Sequence, residues 1–110
     1  MAIPTILSTA NSGLLANASR VAAVADNVAN VSTSDFKPKD VKTTTLATEQ
    51  TSQTNFTPGG VRAVVLEESG PVDLVTQFTR LIQSKAAFSA SAEVLRTGDE
   101  LARELVDIKA

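Results

Sequence analysis

Leu7, Ala10, Leu14, Asn17, Val21, Val24, Val28 and Val31 recur at alternating spacings of three and four, the seam of a heptad repeat, and predict an α-helix over residues 5–31. Only Asn17 interrupts the apolar run. A second stripe comprises Leu74, Phe78, Leu81, Lys85, Phe88, Ala92 and Leu95, widened by Val75, Ile82 and Val94. It resumes past Thr97-Gly98-Asp99 as Leu101, Leu105 and Ile108 and predicts a helix over 72–108. Gly70-Pro71 leads into it, and proline suits a first helical turn, where its missing N–H would have no partner anyway. Asp73 then sits favourably against the helix dipole. Gly98 weakens a helix by roughly 1 kcal/mol relative to Ala, so a bend or a fraying point is expected there.

The four prolines, at 4, 38, 58 and 71, bound a middle piece of different character. Seven threonines lie between Thr43 and Thr57, and helical periodicity stops. Val41, Thr43 and Thr45 alternate, as do Val61, Ala63 and Val65 after Pro58-Gly59-Gly60, which predicts a small β-hairpin near 40–66. Its tip, Glu49 to Asn55, is expected to be a mobile polar loop. The expected fold is therefore mainly α: two long terminal helices packed antiparallel in a coiled-coil-like manner, with a small central β-hairpin. Residues 1–110 are expected to form one domain in three parts: the N-terminal helix (1–37), the Thr-rich insert (38–71) and the C-terminal helix (72–110).

Composition narrows the chemistry. The 110 residues carry ten Lys plus Arg against twelve Asp plus Glu and a formal charge of −2, which leaves no basic footprint for nucleic acid. No run approaches the ~20 apolar residues that span a bilayer, so no membrane insertion is expected. The first residues lack the basic segment and apolar stretch of a cleaved secretory signal. His, Cys, Tyr and Trp are all absent, which removes the imidazole base, the thiolate nucleophile and the usual zinc ligands. No catalysis, cofactor or metal is expected. Between residues 1 and 34 only Arg20 and Asp26 are charged, so the first helix is suited to burial on several sides.

Three polar groupings invite a chemical reading. Ser84, Ser89 and Ser91 near Lys85 could form a serine–lysine nucleophile, but no oxyanion-hole loop or third group accompanies them, and a lysine snorkelling from a helix seam explains them better. The acid pairs Asp35/Asp40, Glu67/Glu68 and Asp99/Glu100 could serve as glycosidase catalysts or hold a hard cation, yet neighbouring residues on a strand or helix point apart, as on an ordinary solvated surface. Asn17 either sets register from within the seam or faces water.

The segment Asp26-Asn27-Val28-Ala29-Asn30-Val31-Ser32-Thr33-Ser34-Asp35-Phe36-Lys37 is a hydrogen-bonding patch without a catalyst, because Asn, Ser and Thr favour caps and turns. It resembles the signature of the bacterial flagellar axial proteins, the rod and hook family, whose N-terminal helix ends in Asn-Ile-Ala-Asn-Ala-Asn-Thr-x-Gly-aromatic-Lys. Asn27, Val28, Ala29, Asn30, Thr33, Phe36 and Lys37 match in order, with Ser32 for the third Asn and Asp35 for Gly. Ser12-Gly13-Leu14-Leu15-Ala16 is similar to the family's opening helix. Gly60-Val61-Arg62, Val72-Asp73-Leu74, Phe88-Ser89-Ala90-Ser91 and Thr97-Gly98-Asp99-Glu100-Leu101 are similar to later blocks, with Gly70-Pro71 and Ser91 where the family has asparagines.

The resemblance implies a non-catalytic structural subunit of the flagellar basal-body rod, nearest to the small proximal-rod proteins. It implies packing with copies of itself, as a homo-oligomer, and with other rod and hook proteins into a tubular axial assembly for motility. It also implies export through the flagellar export apparatus to the periplasmic rod with no cleaved signal. The residues expected to carry packing and assembly are Leu14, Val21, Val24, Asn27, Val28, Asn30, Phe36, Leu74, Phe78, Leu81, Phe88, Leu95 and Leu101. The alternative is a helical adaptor or regulator of flagellar assembly that uses the same scaffold, presents the hairpin to one partner and never polymerises.

Overall fold

The computed structural model describes residues 2–46, 49–50, 56–57 and 60–109. Helix α1 spans Ala2–Ala29 and helix α2 spans Leu74–Lys109. Between them lie strands β1 (Lys39–Leu46), β2 (Glu49–Gln50), β3 (Phe56–Thr57) and β4 (Gly60–Glu67). The helices pack antiparallel, and α1 also packs against both β1 and β4, so it is the middle element. The molecule is an elongated slab of 61 × 31 × 14 Å. Its radius of gyration is 18.0 Å, where a compact domain of this size has about 13 Å.

Helix α1 ends as its motif dictates. Asn30 turns its side chain back, its Nδ2 donating to the Asp26 carbonyl at 2.9 Å, and Thr33 Oγ1 donates to Asn30 Oδ1 at 3.1 Å. Two residues later Asp35 takes a left-handed φ of 60°, a conformation that Asp tolerates better than most residues. This is the position at which Asp replaces the glycine of the resembling motif. At the other linker Gly70 has φ 94° and turns the chain into Pro71. Asp73 then caps α2: its carboxylate accepts from the Val75 N–H at 3.1 Å and from Thr76 Oγ1 at 2.8 Å. Such a cap contributes about 1 kcal/mol.

β1 and β4 pair antiparallel from Lys39↔Glu67 to Leu46↔Gly60, as the alternation predicts. The pairing then resumes where a loop was expected, with Glu49 opposite Thr57 and Gln50 opposite Phe56. Strands already held in register bring the next backbone groups together, and those groups pair whatever their side chains. The remainder of the expected mobile loop, 51–55, lies outside the described residues. Of the alternating β1 positions only Val41 is buried.

Gly98 does not end α2, which runs unbroken through it. A Cβ there would stand 2.7 Å from Leu7 Cδ2, so the missing side chain is where Leu7 of α1 sits. The expected weak point is a close helix–helix approach. Gly13 makes a similar one nearer the middle, where an added Cβ would meet Ser91 Oγ at 3.3 Å.

Candidate functional site

The helix seam is polar where it is tightest. Asn27 is 0% exposed and Gln77 is 1% exposed, the largest fully buried side chains among the described residues. Asn27 Nδ2 donates to Gln77 Oε1 at 2.9 Å and to the Lys39 carbonyl at 2.8 Å, while Asn27 Oδ1 accepts from the Lys39 N–H at 2.8 Å. One amide thus joins α1, α2 and the start of β1. Ser12 anchors the other end of the hairpin: its Oγ accepts from the Val61 N–H at 3.1 Å and donates to the Thr9 carbonyl at 2.7 Å. Gly60, at φ 150°, lets the strand come this close, since a Cβ there would lie 2.6 Å from Ser12 Oγ. The Ser12 and Gly60 blocks, far apart in sequence, meet here.

A charged rim closes one side of the junction. Lys39 Nζ pairs with Asp26 Oδ2 at 3.0 Å, and Arg80 Nη2 pairs with Glu68 Oε1 at 2.7 Å. Arg80 Nη1 lies 3.7 Å from Asp40 Oδ1, close enough to attract but too far for a hydrogen bond. Partial burial pushes the Asp40 carboxyl up. The Lys42 hydrogen bond, the Arg80 and Lys42 charges and the Val41 N–H outweigh it and hold the group below the ordinary carboxylate range.

The expected packing residues divide by position. Val24 and Asn27 are buried; Leu14, Val21, Val28, Asn30, Phe36, Leu81 and Leu95 are half-buried. Leu74, Phe78, Phe88 and Leu101 are more open to solvent, from 39% to 52% exposed. The seam of α2 is filled on its other edge by Gln77, Ser84, Ser91 and Gly98, seven residues apart, which a search for apolar periodicity passes over. The spacing of Ser and Gly at heptad intervals was the available signal. Asn17 is in the seam, buried, with bonds that stay within α1: its Nδ2 donates to the Gly13 carbonyl, and its Oδ1 accepts from Arg20.

None of the polar groupings assembles into a reaction centre. Ser84 is buried while Lys85 is exposed beside Phe88 in an apolar groove. Asp99 pairs with Arg103, and Glu100 with Arg96, which also holds Glu93. Among the described residues no three potential ligands gather to hold a metal ion, and no helix is long and apolar enough to cross a membrane. The geometry is that of a packing module, two helices and a flap joined by buried amides and hydroxyls.

Comparison with known proteins agrees with that class. Residues 7–37 match the family model described as "Flagella basal body rod protein", and residues 65–108 match "Flagellar basal body rod FlgEFG protein C-terminal". The chain is similar to the flagellar hook protein FlgE of Caulobacter vibrioides, with 32% identity over 96 residues, covering 84% of this chain and 16% of the relative. It is also similar to the flagellar hook protein FlgE of Borreliella burgdorferi, with 43% identity over 51 residues, 46% of this chain and 11% of the relative. The chain belongs to the flagellar rod and hook axial proteins, a structural and non-enzymatic family. It spans less than a fifth of the length of these curated relatives.

Proposed function

We propose that this protein is a structural subunit of the flagellar basal-body rod, exported to the flagellar axis and packed by its helices against copies of itself and related axial proteins. The observation that supports this reading is the distribution of apolar surface. Among the described residues the buried hydrophobics are Ala16, Ala23, Val24 and Val41, while Val75 is 73% exposed, Ile82 69% and Phe78 52%. Monomeric proteins rarely leave so much contiguous apolar surface to water. A core this small also contributes little stability alone. Burial between subunits supplies what the single chain lacks.

The experiment is complementation of a deletion strain with Ile82→Asp. Ile82 is outside the helix pair, so the variant chain folds; a rod subunit that packs through this face leaves the cells non-motile. Full motility with the variant would favour the adaptor, whose helix faces stay in water.

A further inference from the structure

We infer that the last turns of α2 dock into the groove between α1 and α2 of a second copy, a head-to-tail contact that deepens the rod reading and rests on it. The groove has a volume of about 410 Å³ and is lined by Ala18 and Val21 of α1 and by Leu81, Lys85 and Phe88 of α2. Four of its five walls are apolar, and the fifth is a cation. Lys85 has no acidic partner among the described residues, although α2 elsewhere ties Arg80, Arg96 and Arg103 to carboxylates.

The C-terminal turns of α2 carry the complementary pattern. Leu101, Leu105 and Ile108 are spaced i, i+4, i+7 and so share one face, and they are 50%, 52% and 81% exposed. Glu104 lies alongside, three residues after Leu101 and four before Ile108, and it too lacks an ionic partner among the described residues. An apolar ridge edged by an unpaired anion matches an apolar groove edged by an unpaired cation. The ridge is the side of a helix and the groove lies between two helices, so docking makes a local three-helix packing of the ridges-into-grooves kind.

The occupant must come from another copy. Phe88 and Ile108 lie on one unbroken helix, about 30 Å apart at 1.5 Å per residue, so the ridge cannot fold back into its own groove. Ridge and groove are different surfaces, so docking in one direction leaves a groove free on one copy and a ridge free on the other. The head-to-tail contact propagates into an open chain or a ring, whereas reciprocal docking of two copies would close a two-fold dimer. A parent chain that stops at a dimer therefore overturns the head-to-tail arrangement.

The test is sedimentation equilibrium of the full chain and of two surface variants. The parent is expected to grow in mass with concentration and show no dimer end point. Ile108→Asp spoils the ridge and Lys85→Glu spoils the groove entrance; each is expected to weaken self-association more than tenfold. Mixed together they are expected to form a one-to-one dimer that grows no further, since one contributes an intact groove and the other an intact ridge. Lys85→Glu combined with Glu104→Lys is expected to restore association. A mixture that stays monomeric, or an Ile108→Asp chain that associates like the parent, overturns the ridge-in-groove contact and leaves the rod reading intact. A parent chain that is monomeric at every concentration rules out a second copy as the occupant. Failure of the rod reading itself would show instead as motility that survives deletion.

Discussion

Asn27 and Gln77 meet across the helix pair in a 2.9 Å hydrogen bond at a point closed to solvent, and the same Asn27 amide holds both backbone groups of Lys39. Three elements depend on one side chain. Asn27→Ala leaves the Lys39 N–H and carbonyl and the Gln77 oxygen without this partner in a buried site, where each orphaned group costs ~1–3 kcal/mol. We expect a loss of at least ~2 kcal/mol in chemical denaturation. Gln77→Leu, which fills similar volume but removes only the partner of Asn27, should cost less.

The linker after α1 tests the departure of Asp35 from the family's glycine. With φ at 60° the backbone is left-handed, a conformation that costs an ordinary L-residue ~1–2 kcal/mol. Asp35→Ala is expected to destabilise by about 1 kcal/mol. Asp35→Gly should leave stability unchanged within ~0.5 kcal/mol, because relief of strain is offset by the freedom that glycine adds to the unfolded chain. Thermal melts of the two variants read the difference.

These two sites show what was legible in the sequence and what was not. The Asn27 to Lys37 segment stood out because Asn and Ser/Thr on a helix need a reason, and its hydrogen bonds supply one. The helix pair followed from Leu7 to Val31 and from Leu74 to Ile108, whose periodicity needs no partner to be recognised. The tight edge of the seam was invisible, since Gln77, Ser84, Ser91 and Gly98 carry no apolar signal, and only the facing Asn27, Gly13 and Leu7 explain them. The packing role of Gly98 was hidden for the same reason: its cost to the helix is local, while the close approach of Leu7 depends on a residue far away in the chain. The strands β2 and β3 escaped notice because backbone register, rather than side-chain pattern, extends the hairpin.

Acid sensitivity should centre on Asp40. Its folded carboxyl is held below its usual value of 3.8, so its contribution to stability is complete above that value and is lost as pH falls through the lower folded value. Stability is therefore expected to fall with acidification below about pH 4. Asp40→Asn should be less stable than the parent at neutral pH, and the gap should narrow as the pH approaches the folded value. Denaturant titrations across that range check the sign; a gap that widens with acid would reverse the assignment.

Gly60 and Phe88 separate packing within the chain from packing between chains. Gly60→Ala places a methyl against Ser12 Oγ and strains a φ of 150°, at a cost of order 1–3 kcal/mol. Phe88 is 39% exposed, so Phe88→Ala should cost the isolated chain less than the ~3–5 kcal/mol of a fully buried phenylalanine. Equilibrium unfolding of both variants is expected to rank Gly60→Ala close to or above Phe88→Ala.

The central claim is that this chain is built into the flagellar axis, where its apolar outer faces are covered by other subunits. Quantitative mass spectrometry of hook–basal bodies purified from motile cells tests it most directly. The account predicts the chain in those particles at a fixed ratio to the other rod proteins, retained through detergent and salt washes. Its absence from washed particles, with the protein recovered whole in the soluble fraction, would contradict it.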